Sequence, residues 1–249
     1  MRMSDRMGGD VAEDDQEICV RTTGPVHRRG PVFYASLPQG PVPPAGRGTN
    51  GGAKDRLVSL LWDHALAAKN PLGKPCRSLP GEAFPIQVAH DPLGKPLFLR
   101  GEHRGPAVSF SEGGGRLWAA LCGDDSDIGI DVAGADEFPS GYPIHRVFHD
   151  QELQQASMLA GGDAAKASAL LWSIKEAVVK ALGCAFHLVD PREITVHPLG
   201  EDGGHFFSAG LSKRTQARVP KSAGRPIWVR SLPQSKTWLS VALLDWQHP

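Results

Sequence analysis

The chain is poor in the features that would mark a disulfide scaffold, a membrane span or a nucleic-acid binder. It has four cysteines in 249 residues (Cys19, Cys76, Cys122 and Cys184) and no C-x-x-C pair. That scatter argues against a zinc knuckle and a disulfide framework, and is simplest in a reducing compartment. No apolar run is long enough to span a bilayer. The first thirty residues carry Asp10, Glu13, Asp14 and Asp15 and lack the apolar centre of a secretory signal. Charge is balanced, with 27 basic and 27 acidic residues, so no global field draws the chain to nucleic acid or an anionic membrane. G-x-x-x-x-G-K-[ST] is absent, so a P-loop nucleotide binder lacks support. A cytoplasmic protein is the expectation.

What is present suffices for a core. The 41% hydrophobic and 22% charged residues suit one globular unit or two small lobes. Residues 1–50 are rich in Gly, Pro and charge, ending in Pro41–Pro44 and Gly46–Gly48. They are expected to form a flexible, poorly ordered segment, with Val32–Tyr34 within Pro31–Leu37 as a first edge strand. From Lys54 to Lys69, Leu57, Leu60, Leu61, His64, Ala65 and Ala68 recur at helical spacing. The repeated pentapeptides Pro71–Pro75 and Pro92–Pro96 read as turns. Ile86–His90, Leu97–Leu99, Val108–Phe110 and Leu117–Leu121 read as strands, the last two flanking a turn at Glu112–Gly115.

Ile128–Val132 is a short apolar strand carrying one acid, Asp131. Helices are expected at Ile144–Phe148, Gln151–Leu159 and Ala164–Leu182, the last closed by Gly183. Strands follow at Ile194–His197, His205–Ala209, Ile227–Val229 and Trp238–Leu244. The order strand, helix, strands, twice over, predicts an α+β fold of two similar lobes. The expected division is 1–50, a first lobe at 51–125 and a second at 126–249, with the active site at their interface.

Two segments carry chemistry. In Trp172–Lys180, Glu176 and Lys180 lie four residues apart and share a helix face; alone, that spacing signifies an exposed ion pair. In Asp127–Val132, an acid closing an apolar strand is costly to bury unless it is paired, hydrogen-bonded or metal-bound; alone, it signifies a turn or cap. Asp131 precedes Trp172 by 41 residues and Glu176 by 45.

That order and separation resemble the 4'-phosphopantetheinyl transferase superfamily, whose signature is a G-I-D strand and, some forty residues on, W-S-x-K-E-A-x-x-K. Here these read Gly129–Ile130–Asp131 and Trp172–Lys180, with Gly183 also at a family glycine position. The resemblance extends to Gly94–Pro96, Val108–Ser111, Leu188–Pro191 and Leu239–Leu244, about residues 54–246. It implies the two-lobed, Sfp-like subgroup: a monomeric pseudo-dimer, each lobe a small antiparallel sheet packed against a long helix. The implied activity is Mg²⁺-dependent transfer of the 4'-phosphopantetheine arm of coenzyme A to a serine of an acyl or peptidyl carrier protein, releasing 3',5'-ADP, as in holo-acyl-carrier-protein synthases. The alternative is a degenerate homologue that binds coenzyme A or a carrier without turnover.

By the same resemblance, Asp131 and Glu176 are the expected Mg²⁺ ligands, and Lys180 faces the phosphates. Lys175 is expected either at phosphate or in solvent. Glu152, in Phe148–Leu153, or Glu176 is the expected base. Lys95 is placed near the 3'-phosphate of coenzyme A and Arg56 near its adenine end. Ser111 and Glu112 stand where the family reads S-H at the coenzyme's phosphate end, with Arg116 expected to screen Glu112; an alternative register puts Phe110 there. Ala133 stands where many bacterial members carry a third acid. Arg146, beside Phe148, is a candidate for carrier docking.

Overall fold

The computed structural model describes residues 20–26, 31–39, 50–68, 85–123, 126–138, 141–199 and 205–246. The expectations for residues 1–19, Pro41–Pro44, Gly46–Gly48, Pro71–Pro75, Cys19 and Cys76 lie outside them.

The first part builds a four-stranded antiparallel sheet from β1 (Arg21–Pro25) and β2 (Pro31–Pro38), with α1 (Asn50–Ala67) crossing it. A three-stranded sheet follows: β3 (Ile86–His90), β4 (Pro96–Arg100) and β5 (His103–Arg104). The hairpin β6 (Val108–Gly113) and β7 (Arg116–Leu121) completes the first sheet in the order β1-β2-β7-β6. Its two-residue turn has Gly114 at φ 59 and Gly115 at φ 70, the left-handed pair that a type I′ hairpin requires.

β2 therefore sits inside the sheet, between β1 and β7, and not at the edge as expected. Its hydrophobic run gains a neighbour on both sides because β1, from a stretch with little apolar signal, pairs along it. The expectation of a segment apart from the fold before residue 51 does not extend to these two strands.

The second part runs β8 (Ser126–Gly134), a 3-10 turn at Ala135–Glu137, α2 (Asp150–Leu159), α3 (Ala164–Ala181), β9 (Ile194–Pro198), β10 (Phe206–Leu211), α4 (Lys213–Arg218), β11 (Ile227–Pro233) and β12 (Thr237–Asp245). Its antiparallel sheet has the order β8-β12-β11-β10-β9. Ile144–Arg146, expected as the start of a helix, is one 3-10 turn behind Pro143. α3 ends as the sequence predicts. Gly183 adopts φ 67, its N–H bonds the Lys180 carbonyl at 2.9 Å, and the Cys184 N–H bonds the Val179 carbonyl at 3.2 Å, a Schellman close.

Strand alternation stacks these parts in layers. Phe33, Ala35, Leu117, Ala119 and Leu121 pack under α1. The opposite face, Val32, Tyr34, Trp118 and Ala120, meets Ile128, Ile130, Val132, Leu239, Val241 and Leu243 of the second sheet. The far side of that sheet, with Ala242, Leu244 and Val229, packs under α3. The fold is α+β, with two antiparallel sheets face to face and a long helix outside each.

Candidate functional site

Period-two alternation decides where the acids of β8 go. Ile128, Ile130 and Val132 fill the layer between the sheets, so Asp127, Gly129 and Asp131 face α3. Gly129 lets the helix close in: a Cβ there would lie 1.8 Å from the Ala177 carbonyl oxygen and 2.6 Å from the Ala181 nitrogen. A small residue on each element is thus a packing requirement. It brings Asp131 beside the next turn of α3, which carries Glu176 and Lys180.

Lys180 Nζ donates to Asp131 Oδ1 at 2.7 Å and lies 3.7 Å from Glu176 Oε2. From the other lobe, Ser111 Oγ donates to Asp131 Oδ1 at 2.8 Å. β8 is an edge strand, and hydroxyls of β6 satisfy its outward N–H groups. Ser109 Oγ accepts from Ile130 N at 3.1 Å and Ser111 Oγ from Val132 N at 3.3 Å. Serines two apart on one strand meet amides two apart on the next, so S-x-S here is a seam between the lobes.

Burial first, and then the neighbouring Asp131 carboxylate, push the Glu176 carboxyl up to about 7. Lys180 opposes that shift, and a hydrogen bond to Asp131 adds to it. Glu137, just past β8, is a third acid bordering the group. Burial raises its carboxyl too, with Asp131 contributing, and its Oε1 accepts from Gly134 N at 2.9 Å. Ala133 packs among the core residues under α3.

Lys180 also lines a cavity of about 300 Å³ between the lobes. The cavity walls come from α1 (Lys54), the β3–β4 turn (Gly94–Pro96), β6 (Val108–Phe110) and the end of α3 (Gly183–Ala185). Three lysines line it and, among the described residues, no carboxylate does. Lys54 Nζ sits 5.3 Å from the centre of the Phe110 ring. Lys95 donates to Asp127 Oδ1, and Lys221 Nζ holds Asp127 Oδ2 at 3.0 Å. Burial lowers the Lys95 ammonium pKa despite that partner.

The structure thus brings together Asp131, Glu176, Lys180 and Ser111, with Lys95 across the cavity. It does not bring the others. Glu152 and Lys175 form a buried pair elsewhere in the core, 2.9 Å apart, with the Lys175 side chain fully excluded from solvent. Lys175 also donates to the carbonyls of Val147 and Pro191. Glu152 also accepts from His149 N at 2.9 Å and Val196 N at 2.8 Å. The physical reason is helical rotation. Neighbours on a helix diverge by about 100°, so Lys175 points into the core when Glu176 points at Asp131.

Glu112 is exposed and away from the cavity; Phe110 is the cavity residue of that segment. Arg116 bonds the Ser36 hydroxyl at 2.8 Å and the Ser36 carbonyl at 3.4 Å. Arg56 is exposed on α1, while Lys54, half a turn earlier, faces in. Arg146 is exposed and Phe148 is a core residue. Sequence reasoning missed Lys54, Lys221, Glu137 and Asp127 as contributors. The only local signal among them was Asp127, an acid sharing the inward register of Asp131.

Residues 127–225, about two-fifths of the chain, match the model of the 4'-phosphopantetheinyl transferase superfamily. The resemblance seen in Gly129–Asp131 and Trp172–Lys180 therefore extends through the second part of the chain. Two solved structures are similar to it. A Chronobacterium ammoniagenes ACPS–CoA complex shares 21% identity at a TM-score of 0.40, and the alignment covers 49% of this chain and 98% of that one. A Chronobacterium apo-ACPS shares 22% at a TM-score of 0.41, with the same coverage. No curated protein matches the chain.

Proposed function

We propose that this chain is a phosphopantetheinyl transferase that moves the 4'-phosphopantetheine arm of coenzyme A to a serine of an acyl or peptidyl carrier protein and releases 3',5'-ADP. The observation that carries the reading is the Asp131–Lys180–Glu176 group at the end of an interlobe cavity walled, among the described residues, by three lysines and no acid. A basic cavity fits a polyanion, and an adjoining pair of carboxylates fits a hard divalent cation.

The fit to Mg²⁺ is good in donor type and sparse in number. Asp131 and Glu176 would supply two hard oxygens, and among the described residues no three acid, histidine or cysteine side chains converge as a complete set. Mg²⁺ commonly retains several waters, so Asp131 and Glu176 would be enough to hold it. The raised Glu176 pKa reflects burial first and then the neighbouring Asp131 carboxylate, and a dication would offset both by favouring the charged form. When bound, Mg²⁺ would neutralise charge on the pyrophosphate.

The protein groups would do the rest. Lys180 holds the pyrophosphate as a point charge, and Lys95 and Lys54 hold the remaining anionic end. Glu176 accepts the proton of the carrier serine. The serine oxygen then bonds the phosphorus of the arm as the bond to the 3',5'-ADP oxygen breaks. Glu152, locked against Lys175, is not placed to take that proton. Catalysis would sit between a first lobe that takes in β1 and β2 and extends to residue 125 and a second lobe at 126–249, in a cytoplasmic monomer.

A non-catalytic homologue is the second reading, favoured by Ala133 in the core and by Phe110 in the cavity wall. Comparing wild type with Asp131→Asn and Glu176→Gln separates the two. The enzyme reading expects wild type to transfer the arm and both variants to lose at least a hundredfold in turnover while still folding. Near-normal turnover in either variant refutes the assigned roles. Coenzyme A binding without transfer in wild type supports the second reading.

A further inference from the structure

Among the described residues, a second cavity lies between the lobes, with a volume of about 530 Å³. It shares no wall residue with the transfer cavity. Its walls are β1 (Arg21), β2 (Tyr34–Ser36), β7 (Arg116 and Trp118) and the β11–β12 hairpin (Gln234–Thr237). β6 measures the separation. Val108 lines the first cavity, and Gly113, about 17 Å along the strand, leads into the turn whose Gly114 lines the second.

Strand register explains the charge there. Arg21 pairs with Tyr34, Ser36 with Trp118 and Pro38 with Arg116, and cross-strand partners share a face. It is the face that carries Tyr34 and Trp118 into the dry layer between the sheets. Beside the β11–β12 turn of the second sheet, the same face changes from apolar to cationic.

An arginine at the margin of a dry layer needs acceptors, and Arg116 has only neutral ones. Its Nε donates to the Ser36 hydroxyl at 2.8 Å and its Nη2 to the Ser36 carbonyl at 3.4 Å. Those bonds fix the guanidinium plane, and Nη1 has no acceptor among the described residues. Across the cavity, the Gln234 N–H bonds the Thr237 carbonyl at 2.8 Å and closes the hairpin that carries Lys236. Lys236 is exposed and has no acid partner among the described residues. No carboxylate among them lines the cavity.

We propose that this second cavity binds a small polyanion carrying two or more phosphate or carboxylate groups, clamped between Arg116 of the first lobe and Lys236 of the second. A guanidinium fork takes two oxygens of either group, and the volume falls within the range of small-ligand sites, about 300–1,000 Å³. The hydroxyls of Ser235 and Thr237 add donors on the Lys236 side. Because the two cations belong to different lobes, the ligand ties the lobes together without entering the transfer cavity. The site therefore stands whether or not the chain transfers a phosphopantetheine arm.

The test titrates metal-free protein with pyrophosphate and, separately, with citrate, by calorimetry at fixed ionic strength. Wild type is expected to bind at least one of them saturably, and the preferred probe assigns phosphate or carboxylate chemistry. Lys236→Met should weaken that binding about tenfold, the scale of one charge-assisted hydrogen bond, while Lys236→Arg retains it and Lys95→Met leaves it unchanged. Arg116→Met should match Lys236→Met; thermal melts check its fold, and Lys236→Met, on an exposed hairpin, decides the case alone if Arg116→Met unfolds. No saturable binding of either probe refutes the site. Binding that survives Lys236→Met but is lost in Lys95→Met belongs to the transfer cavity and also refutes it. If Lys236→Met leaves anion binding intact and instead raises the KM for a carrier protein, the face serves the carrier and the small-ligand site is refuted.

Discussion

Gly129→Ala tests the packing that assembles the site. The added methyl would sit 1.8 Å from the Ala177 carbonyl oxygen and 2.6 Å from the Ala181 nitrogen. Both obstacles are backbone atoms, so no side chain can rotate away. Ordinary contact needs about 3.4 Å or more, so α3 must withdraw from β8 by over an ångström. The Lys180–Asp131 bond, now 2.7 Å, would then stretch beyond hydrogen-bonding range. Overpacking of this kind costs about 1–3 kcal/mol or more, and a 1 Å misplacement of catalytic groups costs about a hundredfold in rate. Thermal unfolding and turnover, measured together, read both. A variant with wild-type melting temperature and wild-type turnover would refute the close approach and the placement of Asp131 that follows from it.

Three further outcomes follow from the geometry. Glu152→Gln should destabilise by about 3–5 kcal/mol, because Lys175 keeps a buried charge without its partner; urea titration reads this, while turnover at a permissive temperature should stay within a few-fold, and a thousandfold loss there would restore Glu152 as the base. Glu112→His should leave coenzyme A affinity unchanged, since Glu112 is exposed outside the cavity; a clear gain by calorimetry would overturn that placement. Glu176 is raised from 4.5 to about 7, so the native state holds its proton more tightly than the unfolded state between those values. Metal-free stability should therefore contain a component that falls as pH rises from about 4.5 to about 7. Glu176→Gln should remove that component, and added Mg²⁺ should raise the melting temperature more at pH 8 than at pH 6. An unchanged pH profile in the variant would contradict the shift.

Sequence periodicity reached far into this fold and stopped at contacts between distant segments. The α3 close was readable because Gly183 is a local signal, and the β6–β7 turn because paired glycines permit one hairpin geometry. β1 was missed because Arg21–Pro25 draws its stability from pairing with β2, which composition does not reveal. Glu176 and Lys180 were readable because a four-residue spacing puts them on one face. Lys175 was misplaced by adjacency: one residue along, a helix side chain faces elsewhere, and its partner Glu152 is 23 positions away. Lys221 meets Asp127 across 94 positions, which no local pattern encodes. Phe110 against Glu112 turned on strand register, where a shift of two residues keeps the face but moves the side chain from the cavity wall to solvent.

The central claim is transfer to a carrier serine, and intact-mass measurement tests it most directly. Wild-type protein, Mg²⁺ and coenzyme A would be incubated with a panel of apo acyl and peptidyl carrier proteins. The account predicts that at least one carrier gains a single phosphopantetheine arm, that 3',5'-ADP appears in equal amount, and that replacing the carrier serine by alanine abolishes the gain. No mass gain on any carrier, with coenzyme A bound at the same protein, would contradict it.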